Sequence, residues 1–130
     1  MKGSSQDLFF LTIHDQIEGQ IEAMKDMAGE SGYPSTELGI YIQPIVQGTG
    51  YHCEFNMFYD PYSYAETARV KDLASHATKN LMNMGAFFSR PYGDEANWIY
   101  NRDAATTDAL RRVKKIFDPN YVMNPGKVCF

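Results

Sequence analysis

The residues with usable chemistry fall in two places. Within Tyr51 to Tyr59, His52, Glu54, Asn56 and Phe58 alternate with Cys53, Phe55, Met57 and Tyr59. Successive side chains of a strand face opposite sides. This spacing therefore sets an imidazole, a carboxylate and an amide in one row, with an apolar set on the reverse. Leu38 to Val46 has the same texture, Ile40 and Ile42 alternating with Tyr41 and Gln43. If the two runs pair in that register, Tyr41 and Gln43 join the row. Two readings are open: the solvated face of a two-layer domain, or a polar wall that meets a ligand or another domain. His52 and Glu54 alone are too few for a metal site. The second place is Ser89-Arg90-Pro91-Tyr92. An arginine before proline is kept out of a helix, and its guanidinium can clamp a carboxylate or phenolate. A salt bridge to Asp94 or Glu95 would use the same chemistry. No nucleophile elbow, phosphate loop or CxxC pair is present, and no residue is assigned a catalytic role.

The elements that must position these residues follow from periodicity. Leu8 to Ile13 is a short apolar run that reads as a buried strand. Asp15 with Glu18 has the spacing of a capping box, and Ile17, Ile21, Met24 and Ala28 follow at helical intervals. Gly29 and Gly32 end that helix. Leu38–Val46 and Tyr51–Tyr59, joined by Gln47-Gly48-Thr49-Gly50, read as an antiparallel hairpin, with Pro44 marking an edge or a bulge. Ser63 with Glu66 is a second capping-box pattern, and Val70, Leu73, Ala74, Ala77 and Leu81 form the apolar stripe of a second helix. Ala86–Ser89 reads as a short fourth strand. The order β-α-β-β-α-β predicts an α+β, ferredoxin-like antiparallel sheet with helices on one face. An irregular stretch, Tyr92 to Arg102, precedes a C-terminal helix capped by Asp103, with Ala109, Leu110, Val113, Ile116 and Phe117 on one face.

Composition bounds the function. The chain has 130 residues, 44% hydrophobic and 22% charged, which suits one globular domain with a real core. Net charge is −4, and the only basic pairs, Arg111-Arg112 and Lys114-Lys115, fall in a helix's last turns, where cations favour the dipole. Nucleic acid is therefore not the expected partner. No apolar run approaches the roughly 18 residues of a membrane span. Cys53 and Cys129 form no metal or redox motif, so a reducing, cytoplasmic location is expected.

Four stretches carry a resemblance: Gly39-Ile40-Tyr41-Ile42-Gln43-Pro44, Tyr51-His52-Cys53-Glu54-Phe55-Asn56, Ser89-Arg90-Pro91-Tyr92-Gly93, and the ending Asp118-Pro119-Asn120 … Asn124-Pro125-Gly126-Lys127. Together they resemble the C-terminal, substrate-binding cap domain of FAD-linked oxidases, of the vanillyl-alcohol oxidase, p-cresol methylhydroxylase and glycolate oxidase superfamily. The resemblance implies a flavoprotein oxidoreductase that transfers hydride from a small hydroxy acid or aromatic alcohol to FAD. An N-terminal domain holds most of the cofactor in that family and is absent here, so residues 1–130 are expected to be an excised or split cap, inactive alone. The resemblance assigns Arg90, Tyr41, Gln43, His52, Glu54 and Asn56 to substrate binding, and Asn124 and Lys127 to the turn against the cofactor domain. Where the family has a tyrosine before the arginine, this sequence has Ser89. The isolated domain, with its polar face or edge strand uncovered, is expected to dimerise. The competing expectation is a stand-alone ferredoxin-like module for ligand sensing or oligomerisation.

Overall fold

The computed structural model describes residues 3–45, 48–92 and 95–125. It divides into two compact units, 1–89 and 90–130. The first unit contains β1 (Ser4–Thr12), α1 (His14–Glu30), a 3-10 turn (Ser35–Glu37), β2 (Leu38–Ile45), β3 (Gly50–Tyr59) and α2 (Tyr64–Asn83). The second contains α3 (Glu95–Tyr100) and α4 (Ala104–Phe117). The class is α+β. The strands form a three-stranded antiparallel sheet in the order β1-β3-β2.

Alternation makes one side of this sheet the core. Leu8, Phe10, Cys53, Phe55, Met57 and Leu38 are buried on it, beneath Met24, Met27 and Ala28 of α1 and the stripe Val70, Leu73, Ala74, Ala77 and Leu81 of α2. Phe10 is the hinge of the packing, its ring 5.7 Å from Phe55 and 5.6 Å from Phe88. Gln20, buried on α1, donates from Nε2 to the Met84 carbonyl at 3.3 Å and so ties the two helices together. The Cys53 thiol is pushed up in pKa by its burial, which keeps it neutral.

Both long helices end in the same way. Gly32 and Gly85 adopt φ of +70° and +88°. Tyr33 N–H then reaches the Ala28 carbonyl and Ala86 N–H the Leu81 carbonyl, the bonds of a Schellman ending. The helix starts differ from expectation. Asp15 does not cap α1: β1 runs straight into the helix through Ile13, whose extended backbone is the N-cap with no side-chain bond. Asp15 lies already in the first turn, where its charge faces the dipole. At α2, Ser63 Oγ accepts from Glu66 N–H as expected, but the Glu66 carboxylate accepts from Asp60 N–H at 2.9 Å instead of closing the box.

The fourth strand is reduced to one antiparallel bridge. Leu11 and Phe87 exchange backbone bonds of 2.8 and 2.9 Å, and no longer ladder forms among the described residues. Between the Gly85 turn and Arg90-Pro91 there is room for little more. In the second unit the stretch expected to be irregular contains α3. Asp103 caps α4 as expected, accepting from the Ala105 and Thr106 amides, while Thr107 Oγ1, buried, donates to the Tyr100 carbonyl. The expected apolar face of α4 is present but open: Val113, Ile116 and Phe117 are exposed.

Candidate functional site

The side of the sheet away from α1 and α2 carries the polar row. Pairing places Gln43 opposite His52, Tyr41 opposite Glu54 and Gly39 opposite Asn56. On the other flank β1 sets Leu11, Phe9 and Asp7 against the same three residues. Tyr41, Gln43, His52, Glu54 and Asn56 therefore share one surface, as the alternation requires.

The row is tied into a network. Asn56 Nδ2 donates to Asp7 Oδ1 at 2.9 Å and to Glu54 Oε1 at 2.7 Å. Its amide thereby commits both hydrogens, holding two carboxylates on neighbouring strands at fixed places. Ser5 Oγ donates to the same Asp7 oxygen at 2.5 Å. The other Glu54 oxygen, Oε2, stands 3.6 Å from His52 Nε2. The His52 ring lies between two aromatic rings, Phe9 at 6.3 Å and nearly parallel, Tyr41 at 6.2 Å and edge-on. The result is an oriented imidazole beside a carboxylate on an aromatic ground. Such a pair can accept a proton from a bound hydroxyl, and the rings offer apolar contact to a flat molecule.

Gly39 belongs to this arrangement by what it lacks. A Cβ there would lie 3.0 Å from Asn56 Cβ and 3.1 Å from its Oδ1. Asp7, Phe9 and Gly39 are the wall residues that sequence reasoning missed. The run Leu8–Ile13 is apolar at nearly every position and shows no alternation, so only its pairing with β3 places Asp7 and Phe9 on the wall.

The remaining assigned residues lie in the second unit. Arg90 opens it and is exposed. Asn124 sits in the terminal turn with a left-handed φ of 51°. Lys127 lies outside the described residues. The turn before Asn124 is organised by Asp118, whose buried carboxylate accepts from Lys114 Nζ at 2.7 Å, Val122 N–H at 2.8 Å and Met123 N–H at 3.0 Å. Lys114 also donates to the Met123 carbonyl and lies over the Tyr121 ring. These bonds, the lysine's first, hold the Asp118 carboxyl below its ordinary pKa.

No group of His, Cys, Asp and Glu among the described residues is arranged to hold a metal ion. A dinucleotide needs a phosphate cradle, and neither described strand-to-helix turn offers one. Between β1 and α1 stands only Ile13. The turn from β3 to α2 has no glycine, and there Asp60 Oδ1 already accepts from Tyr62 N–H. The wall suits the flat face of a ring system, and these turns do not suit its phosphates.

Residues 47–128, more than half of the chain, match the family model described as FAD linked oxidases, C-terminal domain. Among solved structures, the fold is similar to 4-ethylphenol oxidase from Gulosibacter chungangensis in its isoeugenol complex, with a TM-score of 0.77 at 18% identity. That alignment covers 97% of this chain and 24% of the oxidase. No curated protein sequence matches significantly.

Proposed function

We infer the function of this chain from its family: it belongs to the C-terminal domains of FAD-linked oxidases. We propose that it is the substrate-binding cap of an FAD-dependent oxidoreductase, working against an FAD-binding domain of the same or a partner chain. The observation that carries the reading is the wall itself. Its groups are pre-ordered by Asn56, and it occupies the sheet face opposite the one that packs beneath α1 and α2. When bound, the flavin supplies the two-electron acceptor for a hydride. The chain's residues do the rest. Phe9 and Tyr41 give the apolar surface, and Gln43 and Asn56 frame the pocket. His52, oriented by Glu54, takes the proton of the substrate hydroxyl as the carbon loses hydride. Arg90 pairs with the substrate's anionic end. Asn124 and Lys127 meet the cofactor domain. The substrate class is a small hydroxy acid or an aromatic alcohol. Within this reading Ala86–Ser89 is the remnant fourth strand of a ferredoxin-like sheet, since Phe87 bridges the outer edge of β1, where that fold places it.

The test is to produce the chain together with the FAD-binding domain it serves. A yellow complex whose flavin bleaches anaerobically on adding such an alcohol is expected. His52→Ala should slow that bleaching about 100-fold or more, the usual range for a lost general base. A complex that takes up no FAD overturns the proposal.

A further inference from the structure

We infer that Asp7, acting through Asn56 and Glu54, decides which nitrogen of His52 accepts a proton, and that this nitrogen is Nδ1. On the reading that His52 is the base, Asp7 and Asn56 are its positioning residues. An ionised carboxylate offers acceptors only, whereas a side-chain amide has a donor end and an acceptor end. Asn56 stands between two carboxylates, its Nδ2 donating to Asp7 Oδ1 at 2.9 Å and to Glu54 Oε1 at 2.7 Å. The amide can therefore face them only with its NH2 group. Its Oδ1 lies on the side of Gly39, where a Cβ would come within 3.1 Å of it.

Held at Oε1, Glu54 presents its other oxygen, Oε2, to His52 Nε2 at 3.6 Å. That is longer than a hydrogen bond, yet the charge still acts on the ring. A neutral imidazole carries one N–H and one lone pair. A lone pair turned toward the carboxylate is repelled and an N–H is attracted, so the proton resides on Nε2. Nδ1 keeps the lone pair. Phe9 and Tyr41 flank the ring at 6.3 and 6.2 Å, and 21% of the His52 side chain remains exposed. Donor and acceptor senses thus pass one way, from Asp7 on β1 along β3 to the ring. A proton taken up at Nδ1 leaves an imidazolium whose Nε2–H already faces Glu54. The new charge meets its counter-charge without any side chain turning.

The chain alone tests this, with or without a flavin domain. At about pH 9, where imidazole is neutral, long-range proton–nitrogen NMR tells a protonated ring nitrogen from a bare one. His52 is expected to show Nε2–H alone, while the exposed ring of His76 exchanges between both forms. Glu54→Gln separates this geometry from mere packing. Asp7 still fixes Asn56, whose NH2 group holds the glutamine oxygen, so the glutamine NH2 faces Nε2. A donor there demands the lone pair, and the His52 proton is expected to move to Nδ1. Adding Asn56→Ala frees the glutamine to turn its oxygen to the ring, and Nε2–H should return. In the complex with an FAD-binding domain, Glu54→Gln should slow flavin bleaching about 100-fold, and adding Asn56→Ala should restore part of the rate. A Glu54→Gln chain that keeps Nε2–H, a double variant that stays inverted, or a Glu54→Gln complex that bleaches at the parent rate overturns the inference. Should Glu54→Gln fail to fold, a parent His52 that mixes both forms as His76 does overturns it equally. A complex that takes up no flavin overturns the cap reading instead, and the tautomers measured on the chain alone still decide this one.

Discussion

Asn56 shows how one side chain can decide the geometry of a site. Its amide bridges Asp7 and Glu54, and Glu54 in turn faces His52. Two carboxylates this near would repel and turn outward without a shared donor. Gly39 protects the bridge by leaving room beside it, a matter of close approach, since its φ is ordinary. Gly39→Ala should therefore destabilise the fold by about 1–3 kcal/mol, the usual cost of overpacking. It should also turn the Asn56 amide out of its bonds, visible by NMR as a shift and faster exchange of that side-chain NH2. If stability and the Asn56 signals both stay unchanged, Gly39 does not guard the bridge. The row His52, Glu54, Asn56 was legible in the sequence because period-2 alternation is a local property. Asp7 and Phe9 were not, since Leu8–Ile13 reads as buried on both sides and only pairing with β3 shows which residues turn outward. The space at Gly39 is a distance between strands, and no single-strand pattern carries it.

Helix ends follow a similar division. Ser63 and Asp103 are caps that spacing alone identifies, and both accept the expected backbone bonds. Asp15 has the same spacing and fails, because β1 delivers its chain into the helix two residues earlier. The element that most exceeds its sequence signal is the end of α4. Asp118-Pro119-Asn120 reads as a turn. In the structure Asp118 fastens Lys114 on the helix to the amides of Val122 and Met123 beyond it. Its folded pKa is lowered, chiefly by the Lys114 bond. Asp103, lowered by its bonds from Thr106, acts in the same sense at the other end of the helix. A carboxyl with a depressed folded pKa stabilises above its unfolded value, and that stabilisation is lost as pH falls through the folded one. The α4 unit should hold unchanged from pH 7 to about 5 and loosen below the ordinary aspartate value of 3.8. Amide exchange at Val122 and Met123, followed from pH 5 to 2, checks this. In Asp118→Asn these amides should exchange faster already at neutral pH, with a weaker acid step. Protection that is flat to pH 2 in the parent chain would rule out the carboxylate as the fastener.

At the scale of the whole molecule the order of strands and long helices was legible, and its division was not. Periodicity predicted the elements from β1 to α2. It overstated the fourth strand, which becomes a single bridge at Phe87, and it missed α3. Residues 1–89 form a compact unit that contains the whole sheet and both long helices. Its large buried side chains, among them Phe10, Met24, Phe55, Met57, Leu73, Leu81 and Phe88, pack around one core. Residues 90–130 form another, fastened by Thr107 to the end of α3 and by Asp118 to the terminal turn. A unit of the first one's size is large enough to fold alone, and the large buried side chains just named all lie within it. Residues 1–89 produced alone should therefore unfold in a single cooperative transition, with a urea slope near 1 kcal/mol/M, as small domains show. Phe10→Ala, at the centre of the Phe10–Phe55–Phe88 cluster, should lower its stability by about 3–5 kcal/mol, enough to abolish that transition in a domain of ordinary marginal stability. A gradual, non-cooperative melt of the parent segment would mean that the sheet draws its stability from residues after Ser89.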